Sequence, residues 1–131
     1  MATALDVTHR SRFAVATSDL APQEARRVAS TILDLILTPT EAAVAVRRQV
    51  LACLAELVAI AFIRSSYSTH LLCELWRDSE HVIASVEHHE PLPLLPDETT
   101  LGLTVVRTLA DDYGSHKVDG KFQMWAAVRV A

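Results

Sequence analysis

The sequence predicts an α/β two-layer sandwich, in which a mostly antiparallel mixed sheet is covered on one face by about three helices. Three observations carry this expectation. Two segments with apolar residues at helical spacing follow a short alternating stretch near the N-terminus. Two strand-like segments then flank a short polar connection, and an Asp119-Gly120 pair precedes a long alternating stretch at the C-terminus. The predicted order is β-α-α-β-β-α-β-β.

The first strand is expected over Arg12 to Thr17, where RFAVAT alternates. Pro22 opens a helix in which Ala25, Val28, Ala29, Ile32, Leu33 and Ile36 form one face, with Glu24, Arg26, Arg27, Ser30 and Asp34 on the other. In Thr38-Pro39-Thr40-Glu41, a capping hydroxyl, a proline at the first helical position and an acid three residues after the cap mark the start of a second helix. That helix should run to about Arg64, and its second half, VLACLAELVAIAFI, is apolar nearly all round, which requires cover on every side. LLCELWR (71–77) and VIASVE (82–87) are predicted as antiparallel neighbours joined through Asp78, Ser79, Glu80 and His81. Pro91, Pro93 and Pro96 exclude regular structure from the loop that follows. A third helix is expected from about Leu101 to Asp112, with Gly114 as its C-terminal cap. Phe122, Met124, Ala126, Val128 and Val130 should line the buried face of the last strand.

A chain of 131 residues, half of them apolar, suits one domain with a core that needs neither metal nor disulfide support. Residues 12–131 are expected to form it, after a flexible N-terminus at 1–11. Sixteen acids against 12 bases give a net charge of −4, which argues against nucleic acid as a ligand. Cys53 and Cys73 lie in apolar stretches and are expected to be buried thiols in a reducing compartment. The N-terminal residues carry no apolar core of signal-peptide length, so a cytoplasmic location is expected. The longest apolar run, Val50 to Ile63, spans 14 residues and contains Glu56, too short for a membrane span of about 20 residues.

Four short motifs occur in an order that resembles the GHKL (histidine-kinase-like) ATPases, and within them the anti-sigma factor serine kinases and related short regulators of actinobacteria. AELVAIA (55–61) is similar to the family's N-box, and VEHHEP (86–91) falls where its aspartate-led G1 box is expected. LGLTVVRTLADDYG (101–114) resembles the G2-box helix, and GKFQMWAAVRV (120–130) the closing hairpin strand. The resemblance extends from about Arg12 to Val130 and implies a Bergerat-type fold.

It also implies a degenerate nucleotide pocket formed by Glu56, Ile60, His88, Glu90 and Gly102. In the family an N-box asparagine gives an oxygen to Mg²⁺, a hard cation that demands oxygen ligands, but the matching residue here is Ile60. Glu56 takes the position of the catalytic base, as a vestige of that role or as an acid satisfied within the core. His88 replaces the aspartate that accepts a hydrogen bond from adenine; Glu90 stands in the first glycine region, and Gly102 is the retained G2 glycine. Residues 78–106 hold six acids and no Lys or Arg, a field that repels a triphosphate. Losing the metal ligand and the charged acceptor, at about 1.5–3 kcal/mol each, weakens binding by roughly 100-fold to 10⁴-fold.

No cofactor is therefore expected, with ATP and Mg²⁺ binding lost or weak and no confident catalytic residue. The resemblance implies a non-enzymatic regulator acting by protein contact in transcription control, its partner a sigma factor or a STAS-type anti-anti-sigma factor, and a homodimer as its assembly. Two alternatives are an active ATP-binding anti-sigma serine/threonine kinase and a metal or small-molecule sensor in the same pocket. A zinc site would have to draw on Glu87, His88, His89 and Glu90 with help from His70, His81 or His116. Neighbours in an extended segment point to opposite sides, so at most two of the four converge.

Overall fold

The computed structural model describes residues 9–38, 41–63, 69–88 and 99–130. Its elements are β1 (His9–Ala16), α1 (Ala21–Ile36), α2 (Glu41–Ile63), β2 (His70–Arg77), β3 (His81–His88), α3 (Thr99–Leu109), β4 (Asp112–Val118) and β5 (Lys121–Arg129). They form a two-layer α/β sandwich with a five-stranded sheet in the order β1-β2-β3-β5-β4. The expected element order is observed. The expected loop prolines, together with Pro39 and most of the N-terminal segment, lie outside the described residues.

Every strand pairing among the described residues is antiparallel, which corrects the expected mixed sheet. The reason is the number of reversals in the chain. One helix between two strands returns the chain in its original direction; two helices return it reversed, and two helices separate β1 from β2. The single-helix passage from β3 through α3 leads to β4, but β5 folds back between those two strands and antiparallel to both. Asp119 and Gly120, with φ of 50° and 80°, supply the left-handed pair that a tight two-residue hairpin requires.

Register places Phe13, Val15, Leu71, Cys73, Leu75, Val82, Ala84, Val86, His88, Met124, Ala126 and Val128 on the helix side of the sheet. All but Phe13 are buried there. α2 lies at the centre of this layer, in contact with α1, α3, β2, β3 and β5. Its buried residues, Val46, Val50, Cys53, Leu54, Leu57, Val58, Ile60 and Ala61, face several directions, as the apolar sequence requires. α1 presents Ala21, Ala25 and Ala29, all fully buried, so its backbone approaches its neighbours closely before Leu33 and Ile36 fill the space beyond. α3 contributes the fully buried Val106.

Polar groups fix how these elements join. α1 ends with the Leu37 amide donating to the Leu33 carbonyl, and the Arg77 guanidinium donates to the Ile36 carbonyl at 2.9 Å. A cation from β2 thus satisfies an orphan carbonyl at the negative end of α1. Arg47 of α2 donates to Asp34 and Ser30 of α1, tying the helices together on their outer side. In the β2–β3 connection the Asp78 carboxylate accepts from the Glu80 and His81 amides at 2.8 and 2.7 Å. Burial alone would raise its pKa, but these two donors, together with the nearby His81 and Arg77 side chains, outweigh it and hold the group below the ordinary carboxylate range.

α3 ends at Leu109, three residues before the expected Asp112, and Gly114 lies inside β4 instead of capping the helix. The local helical signal yields to pairing: residues 112–118 hydrogen-bond along β5 through the hairpin, and the Asp111 amide already donates to the Ala127 carbonyl. Gly114 is required there by a neighbour. A Cβ at this position would lie 2.9 Å from Cζ2 of Trp125, whose indole covers the strand. Gly114→Ala should therefore displace the Trp125 ring and destabilise the fold by about 1–3 kcal/mol, the range for overpacking. A urea midpoint and Trp emission both unchanged from wild type would show that the ring does not need the glycine.

Candidate functional site

The elements that carry the expected pocket residues do meet: α2 packs on β3 and on α3, all on the helix side of the sheet. What they bring there is apolar. Ile60, 3% exposed, belongs to the continuous core cluster that includes Leu57, Ala61, Val86 and Val106. His88 ends β3 at 0% exposure, and its ring stacks on Phe122 of β5 with centroids 5.5 Å apart and planes 21° from parallel. At the end of its strand it is an interior ring, packed on the helix side of the sheet. Glu56 is half-buried on α2. Gly102 falls on α3, and Glu90 lies outside the described residues.

Glu56 acts on Cys53, one helical turn before it. Desolvation pushes the Cys53 thiol up to about 11, and the negative field of Glu56 adds to this; burial raises Cys73 to about 12. Both cysteines are free and buried, and both remain thiols at neutral pH, so neither is an activated nucleophile.

Of the histidines weighed for zinc, His70, His81, His88 and His116 do not converge, and His89, like Glu90, lies outside the described residues. Strand alternation puts Glu87 on the open face and His88 on the helix side. His70 and His81 begin β2 and β3, at opposite ends of that antiparallel pair, and His116 lies on β4. Among the described residues no group of three His, Cys, Asp or Glu is placed to hold a metal ion. No helix among them is long and apolar enough to cross a membrane.

The opposite face of the sheet carries a concave surface, which the sequence does not announce by any motif. A groove of ≈370 Å³ is lined by Glu74, Trp76, Ile83, Ser85, His116, Gln123 and Trp125. Register explains it. Ser85 pairs with Glu74 on one side and Trp125 on the other, while Trp76 pairs with Ile83 in the next row. Ser85 therefore sits low between Glu74 and Trp125, with Ile83 beside Trp76 in the adjoining row. The Arg10 guanidinium lies 4.0 Å from the Trp76 ring centroid, within cation–π range. Glu74 is held by Arg12 at 2.8 Å and lies 3.8 Å from Arg10. The indole Nε1 of Trp76 is buried with no hydrogen-bond acceptor among the described residues. A signal for this surface existed: both tryptophans of the chain occupy strand positions out of phase with the buried set.

No protein-family model matches this chain, and no curated protein does. The packing of Ile60 makes its own prediction. Ile60→Asn removes core contacts and buries an amide, so it should cost about 2–5 kcal/mol, read as a lower urea midpoint. A cost below about 0.5 kcal/mol would mean that the side chain borders an open, solvated pocket.

Proposed function

We propose that this protein is a non-enzymatic regulatory module of the cytoplasm, a degenerate histidine-kinase-like ATPase domain that acts by protein contact in sigma-factor-dependent transcription control. Its partner in this reading is a sigma factor or a STAS-type anti-anti-sigma factor. One observation carries the loss of nucleotide chemistry. Ile60 and His88, at the positions where the resemblance requires a magnesium ligand and a charged adenine acceptor, are both interior residues, one in the aliphatic core and one stacked on Phe122.

The chemistry follows from those surroundings. A hydrocarbon cannot coordinate Mg²⁺, and a buried imidazole accepts through only one nitrogen, whose availability depends on the tautomer. Without a positioned metal and γ-phosphate, Glu56 has no nucleophile to activate. Regulation by contact needs none of these groups.

Isothermal titration of the full chain with Mg-ATP tests the reading. The expected result is no saturable heat up to about 1 mM nucleotide, the outcome of a site weakened by roughly 100-fold to 10⁴-fold. Binding in the micromolar range would overturn it and favour an ATP-using kinase with Glu56 as its base.

A further inference from the structure

We propose that the groove on the open face of the sheet is a binding site for a small planar aromatic anion, of the aryl carboxylate class. The groove lies across the sheet from Ile60 and His88, so this inference does not rest on the regulatory reading.

The groove exists because neither indole closes over it. Ser85 and Ile83, both on the open face of the central strand β3, form its floor. A Cβ on Gly114 would meet three atoms of the Trp125 indole at 2.9 to 3.1 Å, so that ring lies across β4 and leaves the space above Ser85 unfilled. Trp76 is engaged from the β1 side, where the Arg10 guanidinium lies 4.0 Å from its ring centroid. The resulting volume of ≈370 Å³ belongs to the size class of small-molecule sites, about 300–1,000 Å³.

The walls select the body of the ligand and the charges select its head. Two indoles and Ile83 present apolar surface to a flat ring, which pairs with indole by offset stacking or edge-to-face contact. Glu74 is the carboxylate of this lining, and it is already engaged. Arg12 lies 2.8 Å from it and Arg10 3.8 Å, and 14% of its side chain is exposed. Two guanidiniums against one carboxylate leave a surplus positive charge, on side chains that are 45% and 77% exposed. The bond from Arg12 to Glu74 uses Nε, so its terminal nitrogens face an incoming carboxylate as a fork. In the adjoining cavity Glu87 and Lys121 offset each other and leave the surplus unchanged.

That surplus decides against the other ligand class that paired tryptophans attract. An organic cation over these rings would meet Arg10 in the position it needs. The buried Nε1 of Trp76 also lacks an acceptor among the described residues, and a carboxylate admitted beside Arg10 by a small turn of the ring would supply one.

Both tryptophans of the chain line this groove, so the indole N–H resonances of the isotope-labelled full chain report on it directly. The probe is 2-naphthoate, with 2-naphthalenemethanol and 2-naphthylmethylamine as its neutral and cationic counterparts. The acid should move both indole signals with a Kd of about 100 µM or tighter. The alcohol should bind at least fivefold more weakly, and the amine more weakly still. Arg10→Gln should reduce the acid's advantage over the alcohol at least threefold, a ratio that a merely loosened groove would not change. Ser85→Leu, which fills the floor, should weaken acid and alcohol alike at least tenfold with an unchanged far-UV spectrum. Arg10→Gln decides the matter should Ser85→Leu not fold. Indole signals unmoved by about 1 mM 2-naphthoate overturn the proposal. So does an alcohol or amine that binds as tightly as the acid, an acid preference undiminished in Arg10→Gln, or a folded Ser85→Leu that binds as wild type does.

Discussion

An apolar helix that must be covered on every side governs the rest of this molecule. α2 can leave little of its second half to water, and each Val, Leu or Ile it buries fully contributes about 1.5–3 kcal/mol. The sheet covers it from below, α1 and α3 flank it, and each neighbour is adapted to that task. α1 approaches through alanines, while Arg77 reaches from β2 to the carbonyl that ends α1. Arg47 reaches back from α2 to Asp34 and Ser30. These polar links sit at the margins, where charge can be satisfied, and among the described residues the interior on the helix side is apolar apart from His88 and the two thiols.

That closure divides the protein chemically. On the helix side, Ile60 and His88 take part in packing, and the two thiols are too desolvated to ionise. On the other side, no helix among the described residues covers the sheet, and side chains able to recognise something are grouped there: two indoles, a carboxylate with two guanidinium partners, a serine and an amide. Antiparallel sheets commonly leave one face to solvent, but such faces are normally polar. A pair of tryptophans there calls for an occupant.

Much of this was legible in the residues, and the exceptions are instructive. The burial of α2 followed from its composition, and the two hairpins from Asp78–His81 and Asp119-Gly120, because these signals are local. The end of α3 was not legible, since LADDYG carries helical and capping features that are overridden once β5 needs a partner on its outer side. Gly114 is explained only by Trp125, eleven positions away in sequence and directly opposite in the hairpin. The expectation of a mixed sheet failed because strand direction depends on how the whole chain returns, not on any one segment. For the site, the pocket residues were chosen by resemblance to four boxes, and burial cannot be read from a box. The open-face groove was within reach of alternation, but attention to the buried phase of each strand hid the other phase.

Amide hydrogen exchange of the full chain, with and without millimolar Mg-ATP, tests most directly whether the helix layer is closed around α2. If it is, the amides from Val50 to Ala61 exchange only through global unfolding, with a free energy equal to that from urea denaturation, and nucleotide leaves them unchanged. Fast local exchange in that segment, or added protection there when Mg-ATP is present, would contradict a sealed interior and return the pocket to the helix side of the sheet.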